Sequence, residues 1–400
     1  MDANVALRRR LTRSTAVLAV ACVAGGLLGA GCSPSTSSLA ARTPTIGSPS
    51  TAPTSSPTVG PTAGSSAQRA VGCKVGFALD NYEPERYSQI DGPPLEQVLD
   101  REGAVNTLAD ARANAETQAS EIDAFVAAGT DVIIVKPTYE PGGVPAAVKR
   151  ATDAGIPVIS YDMFIESPNV LHVAFDWVDV GRMEARAILA ARPTGNYVII
   201  MGDASSAYPD MLRRGIREVL LPALDTGAIR IVGESYTPNW DPSKAESEMD
   251  ALLQKNANRI DAVVVEDDGM AAGVIKSLTD AGLAGQVAVS GATGFGGFQS
   301  RFNFNALARG VQTVDVWQDY RQLGRTAAEA AVELCRNRDI AKVSGTTRIT
   351  TPGGLQLAAI LLTSQPITQA NLGVILDTGW IKKDELCQDV NPATAPAACR

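Results

Sequence analysis

Thr130-Asp131-Val132-Ile133-Ile134-Val135 and Ile260-Asp261-Ala262-Val263-Val264-Val265 are two copies of one pattern. Each is a short apolar run without polar alternation, as a strand buried on both faces requires. Each leads to a helical stretch ending in Thr-Asp-Ala-Gly, at Thr152–Gly155 and at Thr279–Gly282. A second short apolar run follows each, at Val158–Ser160 and Val287–Ser290. One match could arise by chance in an α/β chain. Two in register imply a pair of similar α/β lobes, and the spacing is not that of a solenoid.

The same alternation extends outward. In the first half Lys74–Leu79, Val105–Ala109, Val132–Val135 and Pro157–Tyr161 read as strands. Asn114–Ala128 places Ala115, Ala119, Ile122, Phe125 and Val126 at helical spacing and stops at Gly129, a residue that ends helices readily. Val144–Ala154 is the next helix, ended by Gly155. In the second half the strands are Tyr197–Met201, Ile229–Val232, Ala262–Val265 and Val287–Val289, with a further one at Val311–Val314. Helices fall at Pro209–Leu224, Ser243–Lys255 and Met270–Ala281. Strands alternating with amphipathic helices imply parallel βαβ units, so the fold class is α/β with two doubly wound parallel-sheet lobes. Ligands in such sheets bind beyond the carboxyl ends of the strands. Two lobes can set two rows of strand ends facing each other across a cleft.

The N-terminus carries an address. Arg8, Arg9, Arg10 and Arg13 precede an apolar stretch from Thr15 to Gly31, which exits at Cys32. A basic start, an apolar middle and small residues at the exit read as a signal peptide over residues 1–31. A Cys at that exit resembles the lipobox of bacterial lipoproteins, which implies a lipidated Cys32 as the first mature residue. Gly29 stands where that motif has Leu, and Leu28 lies one place further back. A transmembrane anchor and an ordinary secretory signal are the competing readings, and Gly25, Gly26, Gly29 and Gly31 argue against a stable spanning helix. From Ser33 to Ala70 the chain is mostly Ser, Thr, Pro, Ala and Gly, without Asp or Glu. Residues 32–70 therefore read as a disordered tether that cannot bury enough apolar surface to offset its ordering entropy.

The formal charge is −8. Residues 1–31 hold four Arg and one Asp, so the remainder is more acidic, near −11. No basic patch stands out, which argues against a nucleic-acid partner. Cys73, Cys335, Cys387 and Cys399 remain after the signal and the anchor. An even number in an oxidising compartment suggests two disulfides, with three pairings open. No two of them have close zinc-ligand spacing and His172 is the one histidine, so neither a metal nor a cofactor is expected.

The strand ends carry the candidate site. They hold Asp80 with Arg86 and Tyr87, then Tyr161-Asp162-Met163-Phe164, Asp203 to Tyr208, Asn239-Trp240-Asp241, Glu266-Asp267-Asp268 and Ser290 to Phe295. Carboxylates, a guanidinium, amides and aromatic rings together suit a sugar. Planar polar groups pair with neighbouring hydroxyls, and rings cover the apolar face. A site matched to hydroxyls also discriminates, because an analogue lacking one leaves buried polar groups unpaired. Asp80, Asp203 and Asp267 are equally well explained as turn or helix caps. The residues singled out for ligand binding are Arg86, Tyr87, Asp162, Tyr208, Trp240, Asp268, Phe295 and Asp315.

From about Lys74 to Leu386 the chain resembles periplasmic sugar-binding proteins of the ribose/xylose type, closest to the xylose-binding branch. The resemblance rests on Lys74–Asp80 with Glu85-Arg86-Tyr87, on Glu116-Thr117-Gln118 with Gly129–Val135, and on Gly155–Asp162. It continues through Ala174-Phe175-Asp176, Val180-Gly181, Gly195-Asn196-Tyr197, Trp240, Arg259–Val264 and Gly282–Gly291. It implies a type 1 periplasmic binding protein, a monomer of two lobes joined by three crossovers. Such a protein closes on one monosaccharide and passes it to an ABC transporter permease. The expected lobes are residues 71–177 with 316–346 and residues 178–315 with 347–386, followed by a tail at 387–400. The chain departs from the xylose type where a sugar-contacting Arg becomes Met163, an Asn-Asp pair becomes Asp267-Asp268, a Gln becomes Ala292, and a Lys is lost within Asp315–Gln318.

An enzyme is the main rival class. A Ser-His-Asp triad would have to use His172, and no Gly-x-Ser-x-Gly elbow presents a nucleophile. Gly294-Phe295-Gly296-Gly297 lacks the Lys-Ser/Thr of a phosphate loop. A sensor of the same fold, signalling to a membrane receptor, is the other rival.

Overall fold

The two matching apolar runs become equivalent strands of two sheets. The computed structural model describes residues 70–82, 86–138, 142–292 and 298–400. Cys32, the signal stretch, the tether up to residue 69 and Phe295 lie outside the described residues.

The first lobe begins with β1 (Lys74–Leu79), α1 (Gly92–Glu102), β2 (Val105–Asp110), α2 (Ala115–Ala127), β3 (Val132–Val135), α3 (Val144–Asp153), β4 (Val158–Tyr161) and β5 (Val170–Phe175). The second is built from α4 (Trp177–Ala191), β6 (Gly195–Met201), α5 (Tyr208–Asp225), β7 (Ile229–Tyr236), α6 (Pro242–Lys255), β8 (Ala262–Val265), α7 (Asp268–Asp280), β9 (Ala288–Val289), α8 (Phe298–Arg309) and β10 (Asp315–Trp317). The chain then returns to the first lobe as α9 (Tyr320–Asn337), β11 (Thr347–Thr350) and β12 (Gln356–Leu362). It ends in the second as β13 (Gln365–Ile367), α10 (Gly373–Asp377) and α11 (Lys383–Leu386).

Among the described residues the first sheet runs β11-β12-β5-β4-β3-β1-β2, parallel except at β11. The second runs β7-β6-β8-β9, and the Ala292–Val316 bridge continues it into β10 and β13. The orders β2-β1-β3-β4 and β7-β6-β8-β9 are the same, so the repeated sequence marks a repeated topology. The registers agree as well: Val75 lies opposite Val132 and Tyr197 opposite Ala262.

Burial explains the unbroken apolar runs. In β3, Val132 and Ile134 join one core while Ile133 and Val135 join another on the opposite face. In β8, Val263 and Val265 face one core, Ala262 and Val264 the other. Each such Val or Ile is sealed from water and contributes roughly 1.5–3 kcal/mol. The helices α4 and α5 approach backbone to backbone. A Cβ on Gly181 would sit 2.1 Å from Leu212 O, and one on Gly215 would sit 1.9 Å from Val178 O.

Two expectations need correction. Residues 347–362 do not join the second lobe. β12 pairs parallel with β5, Ala358 opposite Leu171, and β11 folds back antiparallel to it across Thr351–Leu355. The third passage between lobes therefore falls between Leu362 and Gln365. The strand expected at Val311–Val314 forms instead at Asp315–Trp317. Of the three open pairings, the disulfides are Cys73–Cys335 in the first lobe and Cys387–Cys399 in the C-terminal segment. That segment packs Val390, Ala398 and Cys399 on a core of Phe304, Trp317 and Leu386.

Candidate functional site

The carboxyl ends of both sheets meet at one narrow cleft of about 490 Å³, its mouth included. From the first lobe come Arg86, Lys136, Asp162, Met163 and Tyr320. From the second come Tyr208, Trp240, Glu266 and Asp267, with Trp177 and Gln318 at the passages between lobes.

Arg86 opens a single π-helical turn, Arg86–Asp91, after β1. It is 2% exposed. Its Nε donates to Asp91 Oδ2 at 3.0 Å, its Nη2 to the same oxygen at 2.9 Å, and its Nη1 to Asp162 Oδ2 at 2.9 Å. The Tyr161 hydroxyl also donates to Asp91, at 2.6 Å. The guanidinium lies 3.5 Å over the Tyr320 ring. Burial works against its charge, but Asp162 and then Asp91 hold its pKa well above the ordinary value. Lys136, directly after β3, donates to Asp80 Oδ2 at 2.7 Å. Both cations of this wall are thus matched by acids of their own lobe.

Asp162 follows β4 with φ of 66°, a left-handed backbone that is strained for a residue with a Cβ. Its amide donates to Val173 O at 2.8 Å, which holds the turn. Tyr208, at the start of α5, ties the second lobe to it. The Tyr208 hydroxyl donates to Asp162 O at 3.2 Å and accepts from Phe164 N at 2.7 Å. Trp240 follows β7, and both it and Asn239 have positive φ. Asp203 accepts from Asn239 N and pins that loop. The indole lies so close to the end of β6 that a Cβ on Gly202 would sit 2.1 Å from it. Strain gathered at such positions is common where a side chain must be aimed.

The second-lobe wall differs. Glu266 Oε2 accepts from Gly202 N at 3.0 Å. Asp267, extended at φ −155° and ψ 148°, caps α7 by accepting from Met270 N at 3.1 Å. Burial pushes Asp267 up to about 6 and Glu266 well above the carboxylate range. Behind them Glu184 accepts from Ser290 Oγ at 3.0 Å and is also raised by burial.

Of the residues singled out from sequence, Arg86, Asp162, Tyr208 and Trp240 line the cleft. Tyr87 sits behind it, its ring 5.1 Å from the Arg86 guanidinium. Asp268 turns toward α8, accepting from Asn303 Nδ2 at 3.0 Å, and its neighbour Asp267 lines the cleft instead. Asp315 is fully buried in β10 and is not a lining residue. Lys136, Trp177, Gln318 and Tyr320 were not found from sequence. The rule that ligands meet strand ends would have reached Lys136, which immediately follows β3.

Several buried polar atoms here have no hydrogen-bond partner among the described residues: both amide atoms of Gln318, Trp240 Nε1, Trp177 Nε1 and Asp162 Oδ1. Native proteins rarely leave such atoms unsatisfied, so these are polar groups of the cleft that water or a polar ligand can pair with. His172, by contrast, is a core residue. Burial lowers its pKa to about 3, Ser160 Oγ lies 2.9 Å from its Nδ1, and Phe164 stacks on it. Among the described residues no helix is long and apolar enough to cross a membrane, and no His, Cys, Asp and Glu cluster could hold a metal.

Known proteins share this architecture. Residues 75–339 match the family model described as a periplasmic binding protein domain. The D-xylose-binding periplasmic protein of Escherichia coli (strain K12) is 32% identical over 323 residues, covering 80% of this chain and 94% of that protein. The D-xylose-binding periplasmic protein of Haemophilus influenzae is 31% identical over 268 residues, covering 67% and 79%. A carbohydrate transporter solute binding protein from Chloroflexus aurantiacus, solved in complex with D-glucose, aligns with a TM-score of 0.67 at 22% identity. That alignment covers 78% of this chain and 98% of that one.

Proposed function

The chain belongs to the periplasmic binding protein family, and from that premise we propose that it captures a monosaccharide or related polyol outside the cytoplasm and delivers it to an ABC transporter permease. It is a binding protein and not an enzyme, as its relatives are. The observation that carries the sugar reading is the buried amide of Gln318. It lies in the cleft with a donor and an acceptor both free of partners among the described residues. One hydroxyl can satisfy the acceptor and another the donor. Asp162 Oδ1 accepts a third, while the Trp240 and Trp177 rings cover apolar ring faces and their Nε1 atoms donate.

Closure supplies affinity and release. Tyr208 reaches from the second lobe to Asp162 and Phe164 of the first, so a ligand touching both walls favours the closed arrangement. The permease then takes the ligand when the lobes part. D-xylose is not the assigned ligand, because Met163 stands where a xylose-type site has a sugar-contacting Arg. We also assign Cys32 as a lipid anchor from its place at the signal exit. Cys32→Ser is expected to release the protein from the membrane fraction, and retention there would remove the anchor.

A thermal-shift screen of the purified protein against pentoses, hexoses and polyols tests the reading. A ligand at a hundred times its Kd adds about 2.7 kcal/mol to native stability and raises Tm. No shift with any sugar or polyol, with a shift from another solute class, would overturn it.

A further inference from the structure

The two walls of the cleft are not matched in charge. Each first-lobe cation that lines the cleft has an acid of its own: Arg86 has Asp91 and Asp162, and Lys136 has Asp80. The second-lobe wall offers Glu266 and Asp267, and among the described lining residues it offers no Lys or Arg. Each of these carboxyls spends one oxygen on a backbone N–H and leaves the other, Glu266 Oε1 and Asp267 Oδ2, buried with no partner among the described residues. Both residues are 2% exposed. Arg213, on the neighbouring α5, is held by Glu234 at 2.7 Å, and from there its charge works against the burial that raises the Glu266 pKa. Behind the wall Glu184 adds a third buried acid.

We infer that the ligand carries a basic amine, as an amino sugar or amino polyol whose ammonium group lies against Asp267 and Glu266. The inference rests on the polyol reading above and narrows it. An acid buried without a cation costs several kcal/mol when ionised. A neutral hydroxyl offers such an acid a hydrogen bond but no charge. An ammonium supplies both, with donors for Asp267 Oδ2 and Glu266 Oε1. Trp177, Tyr208 and Trp240 line the same cleft, and aromatic rings attract a cation that lies over their faces. The Tyr320 face already carries Arg86. Gln318 and the Arg86–Asp162 pair remain for hydroxyls on the first-lobe side. An anionic sugar acid is disfavoured by the same wall.

Paired calorimetric titrations of the purified protein test this: D-glucosamine against D-glucose, D-galactosamine against D-galactose, and 1-amino-1-deoxysorbitol against sorbitol. In at least one pair the amine is expected to bind about tenfold or more tightly, equivalent to about 1.4 kcal/mol. Its N-acetylated form should lose that preference. In Asp267→Asn the amine-to-parent ratio should collapse toward one, with Glu266→Gln as the second variant and a urea midpoint as the check on folding. Parent compounds that bind as well as or better than their amines would overturn the inference and leave the polyol reading standing. Binding by neither class would remove the polyol reading and the inference with it.

Discussion

The two halves of the cleft repeat one topology and differ in chemistry. The first-lobe wall pairs its cations internally: Arg86 sits in a fork of Asp91 and Asp162, and Lys136 in contact with Asp80. The second-lobe wall presents acids whose spare oxygens have no partner among the described residues. Strand order and register are dictated by which residues must be buried, so they recur wherever the apolar pattern recurs. Side chains just past the strand ends are under no such constraint. The first wall therefore has its cations paired within the lobe, and the second has acids with no cation among the described lining residues.

The largest expected effect comes from breaking the internally paired wall. Arg86→Met leaves Asp91 and Asp162 buried without their cation. Removing one partner of a buried ion pair costs about 3–5 kcal/mol, so urea unfolding should report a loss of that order together with loss of ligand binding. A loss within the ordinary range of a surface change would mean that Asp91 and Asp162 do not depend on Arg86.

A smaller effect of opposite sign is expected in the second wall. Burial raises Asp267 to about 6 in the fold, against about 4 for an unfolded Asp. The fold binds this proton more tightly than the unfolded chain does. The stability linked to this group is therefore present below pH 4 and is lost as pH rises through 6. Asp267→Asn fixes the neutral form and keeps a capping oxygen for α7. It should gain about 2–3 kcal/mol at pH 7 and little at pH 4, measured as the difference from the parent chain in urea. His172 and Asp91 titrate in both proteins and cancel in that difference. An equal gain at both pH values, or a loss at pH 7, would contradict the assignment of Asp267 as a strained acid.

The contrast between walls also explains what was legible in the sequence. β3 and β8 were found to the residue, because both faces of each are buried and no polar residue interrupts them. The helix ends at Gly129, Gly155 and Gly282 were equally plain, since each takes a positive φ. β10 was displaced to Val311–Val314 because its true span begins with Asp315, a fully buried acid that hydropathy reads as a loop. β11 and β12 went to the wrong lobe because strand pairing across nearly two hundred residues leaves no local signal. At the site, Arg86, Asp162, Tyr208 and Trp240 could be found from their residue types at strand ends. Sequence placed Asp268 ahead of Asp267 as a site residue, and the cleft has them the other way round. The helix start between them turns one into the cleft and the other toward Asn303. Gln318 was not singled out within Asp315–Gln318, since an amide in a passage between lobes looks like any polar linker until its burial is seen.

The most direct test is the structure of the complex with the tightest-binding compound from the screen. The account predicts that compound between the lobes, with hydroxyls on Gln318 and Asp162 and a ring or chain face against Trp240. A compound bound outside the cleft, or inside it without touching Gln318 and Asp162, would contradict the account.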